Sequence, residues 1–349
     1  MVADYHTARR AGVDPIAREH AAKAERIAKQ HADIVAAITF EHAVERYLDA
    51  HSAKWKNLKH RAQWHSTLAT YAFPTLGPIP VAKIDTNDVL AVLSPIWLTK
   101  TETASRLRGR IEAVLDYATT LDWRAGANPA RWKGHMAIVL PKPSKVAKVE
   151  HHAALPWKDI AAFMSDLRGR HAMAARALEW AILTAARTGE VLGAKWSEID
   201  LDGALWTLPA ERMKSGLEHR VPLSPPALAL LTDMAEVRDS AEKDRRELVF
   251  PGRSGPLSGM SMLMLLRRME RDDLTVHGFR STFRDWVSEA TNHPRELAET
   301  ALAHVVADKT EAAYRRGESL AKRAILMTDW GRFCDGLGEK TILLGSTSG

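Results

Sequence analysis

The chain has 349 residues, enough for two or three domains each with its own core, and its 46% apolar and 26% charged content is that of ordinary globular protein. No apolar run is long enough to cross a bilayer, no charged-then-apolar leader opens the chain, and the single cysteine, Cys334, excludes an internal disulfide, so a cytoplasmic protein without a membrane partner is expected. A net charge of +6 and a pI near 9.4 permit nucleic-acid binding without demonstrating it, and fifteen histidines with no HExxH or paired CxxC predict no metal site.

Residues 1–38 are rich in Ala, Lys, Arg and His. Asp14 and Pro15 open the run IAREHAAKAERIAKQHADIVAAI as N-cap and first helical residue of a polar helix. Residues 39–136 predict a compact helical domain. Phe40, Ala43, Val44, Tyr47 and Leu48 recur at helical spacing behind Thr39, and Leu58, Trp64, Leu68 and Tyr71 form a second apolar stripe. The turn-rich FPTLGPIP follows, then a helix capped by Thr86, then a longer one carrying Leu107, Ile111, Val114 and Leu115. Lys54, Lys56, Lys59, Arg106 and Arg110 are candidate phosphate contacts here, although solvated helix faces would carry the same charges.

Residues 137–156, AIVLPKPSKVAKVEHHAALP, predict an extended basic linker in which Lys142 and Lys145 could lie along an acidic partner. A larger domain, 157–335, follows, and 336–349 predict a frayed tail. In the larger domain MAARALEWAILTAA is helical, with Arg187 at its end and a Thr188-Gly189 break behind it. Trp206 and Leu208, then Val221 and Leu223, alternate in two strands around a polar turn that contains Lys214. From Ser261 to Trp330 the pattern is helical with short breaks.

His277, Arg280, His304 and Tyr314 lie within 38 residues of that last region. Val276, Phe279, Phe283, Trp286 and Val287 share one helical arc, and His277, Arg280 and Arg284 occupy the arc beside it. An imidazole and a guanidinium side by side make an anion site. Arg187, ending an apolar helix, must find a partner for its charge, and Glu190 is near enough in sequence to orient it. Each of these residues is commonplace alone.

In combination they are not. RTGEVLGAKW, a lysine in a β-hairpin ending HRVPLS, then HGFR, then LAH, then a tyrosine ten residues on, resembles the catalytic domain of the tyrosine recombinases, the phage integrase family. The similarity extends to the helical domain with its LGPIPVAKIDTNDV break and to the linker, and it is nearest to prophage and genomic-island integrases. The resemblance implies a mainly α fold with a small antiparallel sheet: a SAM-like helical core-binding domain and a mixed α+β catalytic domain. It also implies that AGVDPIAREHAAKAERIA is the last helix of an arm-binding domain. LAH stands where many relatives have LGH, a change tolerable where the backbone is helical.

The activity implied is site-specific strand cutting and rejoining through a 3′-phosphotyrosine, with no metal or cofactor, integrating or excising a mobile element. Arg187, Arg280 and His304 would grip the phosphate oxygens, Tyr314 would attack, His277 would assist, Lys214 would protonate the leaving 5′-oxygen and Glu190 would support Arg187. Partners would be a double-stranded core site, a homotetramer on DNA with contacts from Ile325 to Trp330, and DNA-bending accessory proteins, in the bacterial nucleoid. A type IB topoisomerase-like nicking-closing enzyme and a DNA-binding protein without strand transfer are the alternatives.

Overall fold

The computed structural model describes residues 15–52, 58–146, 153–240, 246–253, 255–304 and 319–337, and the chain divides into two compact units, Met1–Val149 and Glu150–Gly349. The first unit is helical. Helix α1 (Pro15–Ala36) starts at the expected proline, while Asp14 lies outside the described residues. Helix α2 (Phe40–Ala50) is capped by Thr39, whose hydroxyl accepts from the His42 N–H at 3.3 Å. Helices α3 (Leu58–Tyr71), α4 (Phe73–Leu76), α5 (Thr86–Trp97) and α6 (Thr101–Thr120) follow. The apolar stripes of α2, α3, α5 and α6 meet in one core around Phe40, Leu68, Leu93, Leu107, Ile111 and Leu115.

Two local expectations for this unit are corrected. Thr86 is the first residue of α5, not its cap; Asp85 caps it, accepting from the Asn87 and Asp88 N–H groups, while Asp88 reaches back to the Asp85 N–H. Thr86 instead hydrogen-bonds His135 at 2.8 Å. The beginning of the expected extended linker is also folded. Short helices α7 (Ala137–Val139) and α8 (Pro143–Val146) form there because Leu140 is buried in the first core and the Trp97 indole donates to the Pro141 carbonyl at 3.0 Å.

The second unit is built round α10 (Met173–Thr184), which follows α9 (Ile160–Arg168). Helix α10 is buried on nearly every side, which its Ala- and Leu-rich sequence allows because small residues let neighbouring helices close in. A short helix, α11 (Thr188–Leu192), leads into a three-stranded antiparallel sheet of order β1 (Ile199–Asp200), β2 (Leu205–Leu208), β3 (His219–Pro222). Strand β1 is an addition to the two strands expected. Trp206 pairs with Val221, and Trp206, Leu208 and Val221 face the core as the alternation predicts.

Helices α12 (Pro225–Ser240), α13 (Ser261–Arg268), α14 (Gly278–Ala290), α15 (Arg295–Ala301) and α16 (Leu320–Cys334) complete this unit. The apolar arc of α14 is buried as predicted, from Phe279 to Val287. Helix α16 also packs inward: Leu326, Met327 and Trp330 are buried and the Trp330 indole donates to the Ile182 carbonyl at 2.8 Å. Within Ile325–Trp330 the other side of the helix stays open, with Ile325 exposed and Thr328 and Asp329 part-buried. Among the described residues no helix is long and apolar enough to cross a membrane.

Candidate active site

The site is built on the C-terminal end of α15. Leu302 follows the helix, and Ala303 turns left-handed at φ 49°. The Ala303 N–H then donates to the Thr300 carbonyl at 3.0 Å and the His304 N–H to the Glu299 carbonyl at 2.9 Å, the paired bonds of a Schellman turn. The residue that replaces glycine in LAH is thus not in helical backbone, contrary to the condition set for its tolerance, and it bears the cost of a Cβ in the left-handed region.

That turn presents the carbonyls of Ala301, Leu302 and Ala303, the negative end of a helix, to the rest of the unit. Arg280, buried in the first turn of α14, donates through Nη2 to Leu302 O at 2.6 Å and through Nη1 to Ala185 O. Arg187 Nη2 reaches the same Leu302 O at 3.3 Å and Ala303 O at 3.2 Å. His219 on β3 contacts Ala301 O through Nε2 at 3.2 Å, and because a carbonyl only accepts, that nitrogen carries the proton. Two guanidinium groups from helices far apart in sequence therefore share one acceptor. Burial, and then the charge of Arg187, lower Arg280 to about 10, so it remains cationic near neutrality.

The position of Arg187 differs from the expectation that it ends α10. Helix α10 stops at Thr184, Ala185 is left-handed at φ 51°, and Arg187 is the N-cap residue of α11. Glu190, three residues on and buried, accepts from the Arg187 N–H and from its Nη1, both at 2.8 Å. One carboxylate thus caps the helix and aims the guanidinium. Arg212 at the base of the β2–β3 hairpin bonds the Glu198 carboxylate and donates to the Glu190 carbonyl at 2.5 Å, tying the hairpin to α11.

Lys214 is exposed in that hairpin, as predicted, and Gly216 at φ 70° lets the turn reverse. His277 is exposed at the N-terminal end of α14. His304 lies with Nε2 3.3 Å from Arg280 Nη2 and Nδ1 2.6 Å from the Glu299 carboxylate. The structure thus brings Arg187, Glu190, Arg280 and His304 together. Tyr314 lies outside the described residues. Glu299, His219 and Arg323 were not singled out from the sequence, and Arg284 only as a neighbour of His277 and Arg280 on their helix. Arg323, fully buried on α16, donates to the Arg220 carbonyl at 2.6 Å.

The basic residues of the first unit fall in different settings. Arg110 is buried, donates to Gln63 O at 2.9 Å and lies over the Trp64 ring, so as a phosphate contact it is corrected to a group that fastens α6 to α3. Arg106 is exposed and paired with Glu102 at 2.7 Å, and Lys142 and Lys145 are exposed. Lys54, Lys56 and the side chain of Lys59 lie outside the described residues.

Residues 40–135 match the model of the phage integrase central domain, and residues 155–319 that of the phage integrase family. The integrase of Enterobacteria phage P4 is 31% identical, over 95% of this chain and 76% of its own length. Prophage integrase IntZ of Escherichia coli is 30% identical, over 85% and 71%. Among solved structures, a lambda integrase dimer bound to a COC′ core site superposes with a TM-score of 0.60 at 18% identity, covering 77% of this chain and 96% of the other. A lambda integrase tetramer bound to a Holliday junction gives 0.60 at 18%, covering 78% and 79%. At that identity the structural likeness establishes the fold.

Proposed function

The chain belongs to the phage integrase family of tyrosine recombinases, and from that premise we propose a mechanism in which Arg187, Arg280 and His304 hold the phosphate that Tyr314 attacks. As a site-specific tyrosine recombinase it cuts and rejoins DNA strands. The observation that carries the reading is the Leu302 carbonyl shared by Arg187 and Arg280. Two cations fixed side by side repel, and an anion bound between them removes the repulsion. A phosphoryl group gaining negative charge in the transition state gains most.

In the cutting step the Tyr314 oxygen bonds to phosphorus as the phosphorus–O5′ bond breaks. The phenol proton leaves with help from His277, and Lys214 on its exposed turn protonates the departing 5′-oxygen. Glu190 keeps Arg187 aimed. The phosphotyrosine conserves the energy of the broken bond, so a 5′-hydroxyl of another strand can attack it, release the tyrosine and complete the exchange.

Residues 39–136 serve as the core-binding domain and 157–335 as the catalytic domain, joined by the basic segment from 137 to 156, with the helix in 1–38 belonging to an arm-binding domain. Exposed Lys142, Lys145 and Arg106, with Lys54, Lys56 and Lys59, contact the backbone of the core site and make binding salt-dependent. Four copies act on paired duplexes in the bacterial nucleoid, with DNA-bending proteins assisting, and integrate or excise a mobile element.

A duplex spanning the junction of the host element, nicked beside the cleavage point, traps the intermediate. A covalent protein–DNA band on a denaturing gel is expected, absent from Tyr314→Phe and from Arg187→Ala, with the Kd for intact core DNA little changed. No band from the unaltered protein on that duplex refutes the mechanism.

A further inference from the structure

Helix α15 carries a group with no part in the mechanism above. Glu299 precedes His304 by five residues, and residues five apart on a straight helix point about 140° from each other. Their contact exists because left-handed Ala303 folds His304 back over the last turn. One Glu299 oxygen lies 2.6 Å from His304 Nδ1, and the other 2.7 Å from Arg284 Nε, with Arg295 Nε at 3.8 Å. Burial acts to raise the Glu299 carboxyl, but the hydrogen bond to His304 and the neighbouring Arg284 charge outweigh it, so the group is held below the usual carboxylate range and stays ionised. A carboxylate only accepts, so Nδ1 of His304 carries the proton and Nε2 is the nitrogen presented to Arg280.

We infer that Glu299 is a positioning residue for strand cleavage: it fixes the His304 ring and its Nδ1–H, aims Nε2 at the phosphate held by Arg187 and Arg280, and is itself held by Arg284. The inference rests on the reading of His304 as a phosphate ligand. With Nδ1–H engaged by Glu299, Nε2 is the nitrogen left to face a phosphate oxygen, and the Glu299 charge sits behind the ring. The arrangement has the logic of a carboxylate behind a reacting histidine. Arg284 explains why the carboxylate is not drawn away to Arg187 or Arg280.

Single-turnover trapping on the nicked duplex tests this with the full chain. Glu299→Ala is expected to form adduct about 10–100-fold more slowly, the usual scale for losing a group that orients a ligand, with core-site Kd within about twofold of the unaltered protein. Glu299→Gln retains an acceptor for Nδ1–H and is expected to recover part of the rate. In protein labelled with nitrogen-15 histidine, the His304 signal, identified by its loss in His304→Gln, is expected to report Nδ1–H in the unaltered chain and to move toward the Nε2–H form in Glu299→Ala. Adduct formation by Glu299→Ala at the unaltered rate overturns the inference, as does a loss of rate with an unchanged His304 signal. Absence of adduct from the unaltered chain refutes the phosphate-gripping reading instead, and the nitrogen spectra then decide by themselves whether Glu299 sets the ring.

Discussion

Acid should loosen the catalytic unit through His219 before it reaches most carboxylates. This imidazole sits between β3 and the end of α15. Burial foremost, and then the nearby Arg323 charge, lower it from 6.5 to about 4, against the smaller upward pull of its hydrogen bond to Ala301 and of Glu190. Its folded value is below its unfolded one, so its contribution to stability is complete above about pH 6.5 and is lost as pH falls toward 4. The gap between those values corresponds to roughly 3 kcal/mol by linkage, a sizeable part of a domain's stability. Urea unfolding of the unaltered chain and of His219→Gln, followed by tryptophan fluorescence from pH 7.5 to about 4.5, separates this effect from that of carboxylates common to both proteins. Glutamine can still donate to Ala301 O but cannot be protonated there. The unaltered protein should lose about 2–3 kcal/mol more than the variant across the range. Parallel pH dependences would show that His219 does not carry the effect.

Two substitutions test the backbone beneath the site. Ala303→Gly relieves a Cβ at φ 49° and should stabilise the catalytic unit by about 0.5–1 kcal/mol after the added freedom of glycine in the unfolded chain, seen as a rise of a few degrees in Tm; a fall in Tm refutes it. Gly278→Ala places a Cβ 2.0 Å from the Ala153 carbonyl oxygen and 3.0 Å from the Ala154 Cα. Because the obstruction is backbone, the variant should lose about 1–3 kcal/mol and weaken the Thr275 N–H bond to Ala153 O, now 3.2 Å, as faster hydrogen exchange at Thr275 would show; an unchanged Tm and exchange rate refute it.

The elements that could be read from the sequence are those set by short-range periodicity. The α14 stripe, the start of α1 at Pro15 and the β2–β3 alternation depend on neighbours within a turn or a strand, and the structure places them as expected. The breaks at Ala185 and Ala303 could not be read, because alanine is the strongest helix former and its left-handed backbone is held here by partners distant in sequence: Arg280 on the Ala185 carbonyl and Arg187 on that of Ala303. Glu299 was hidden for the same reason, since its contact with His304 needs that reversal. Arg110 looks like any basic residue on a helix; only the packing of Trp64 and Gln63 against it shows that its charge is already engaged. Residues 137–146 have the composition of a spacer, yet Leu140 and the Trp97 bond to the Pro141 carbonyl draw them onto the first core.

The peptide group of Leu302 has one more consequence. Arg187 arrives on α11, Arg280 on α14 and His304 directly from α15, yet all three depend on how a single turn of chain ends. If the last turn of α15 frays, both guanidinium groups lose a common anchor and the imidazole moves away with it, leaving Arg187 on Glu190 and Arg280 on the Ala185 carbonyl. On the mechanism proposed above, readiness to grip a phosphate is thereby made a property of one short stretch of chain.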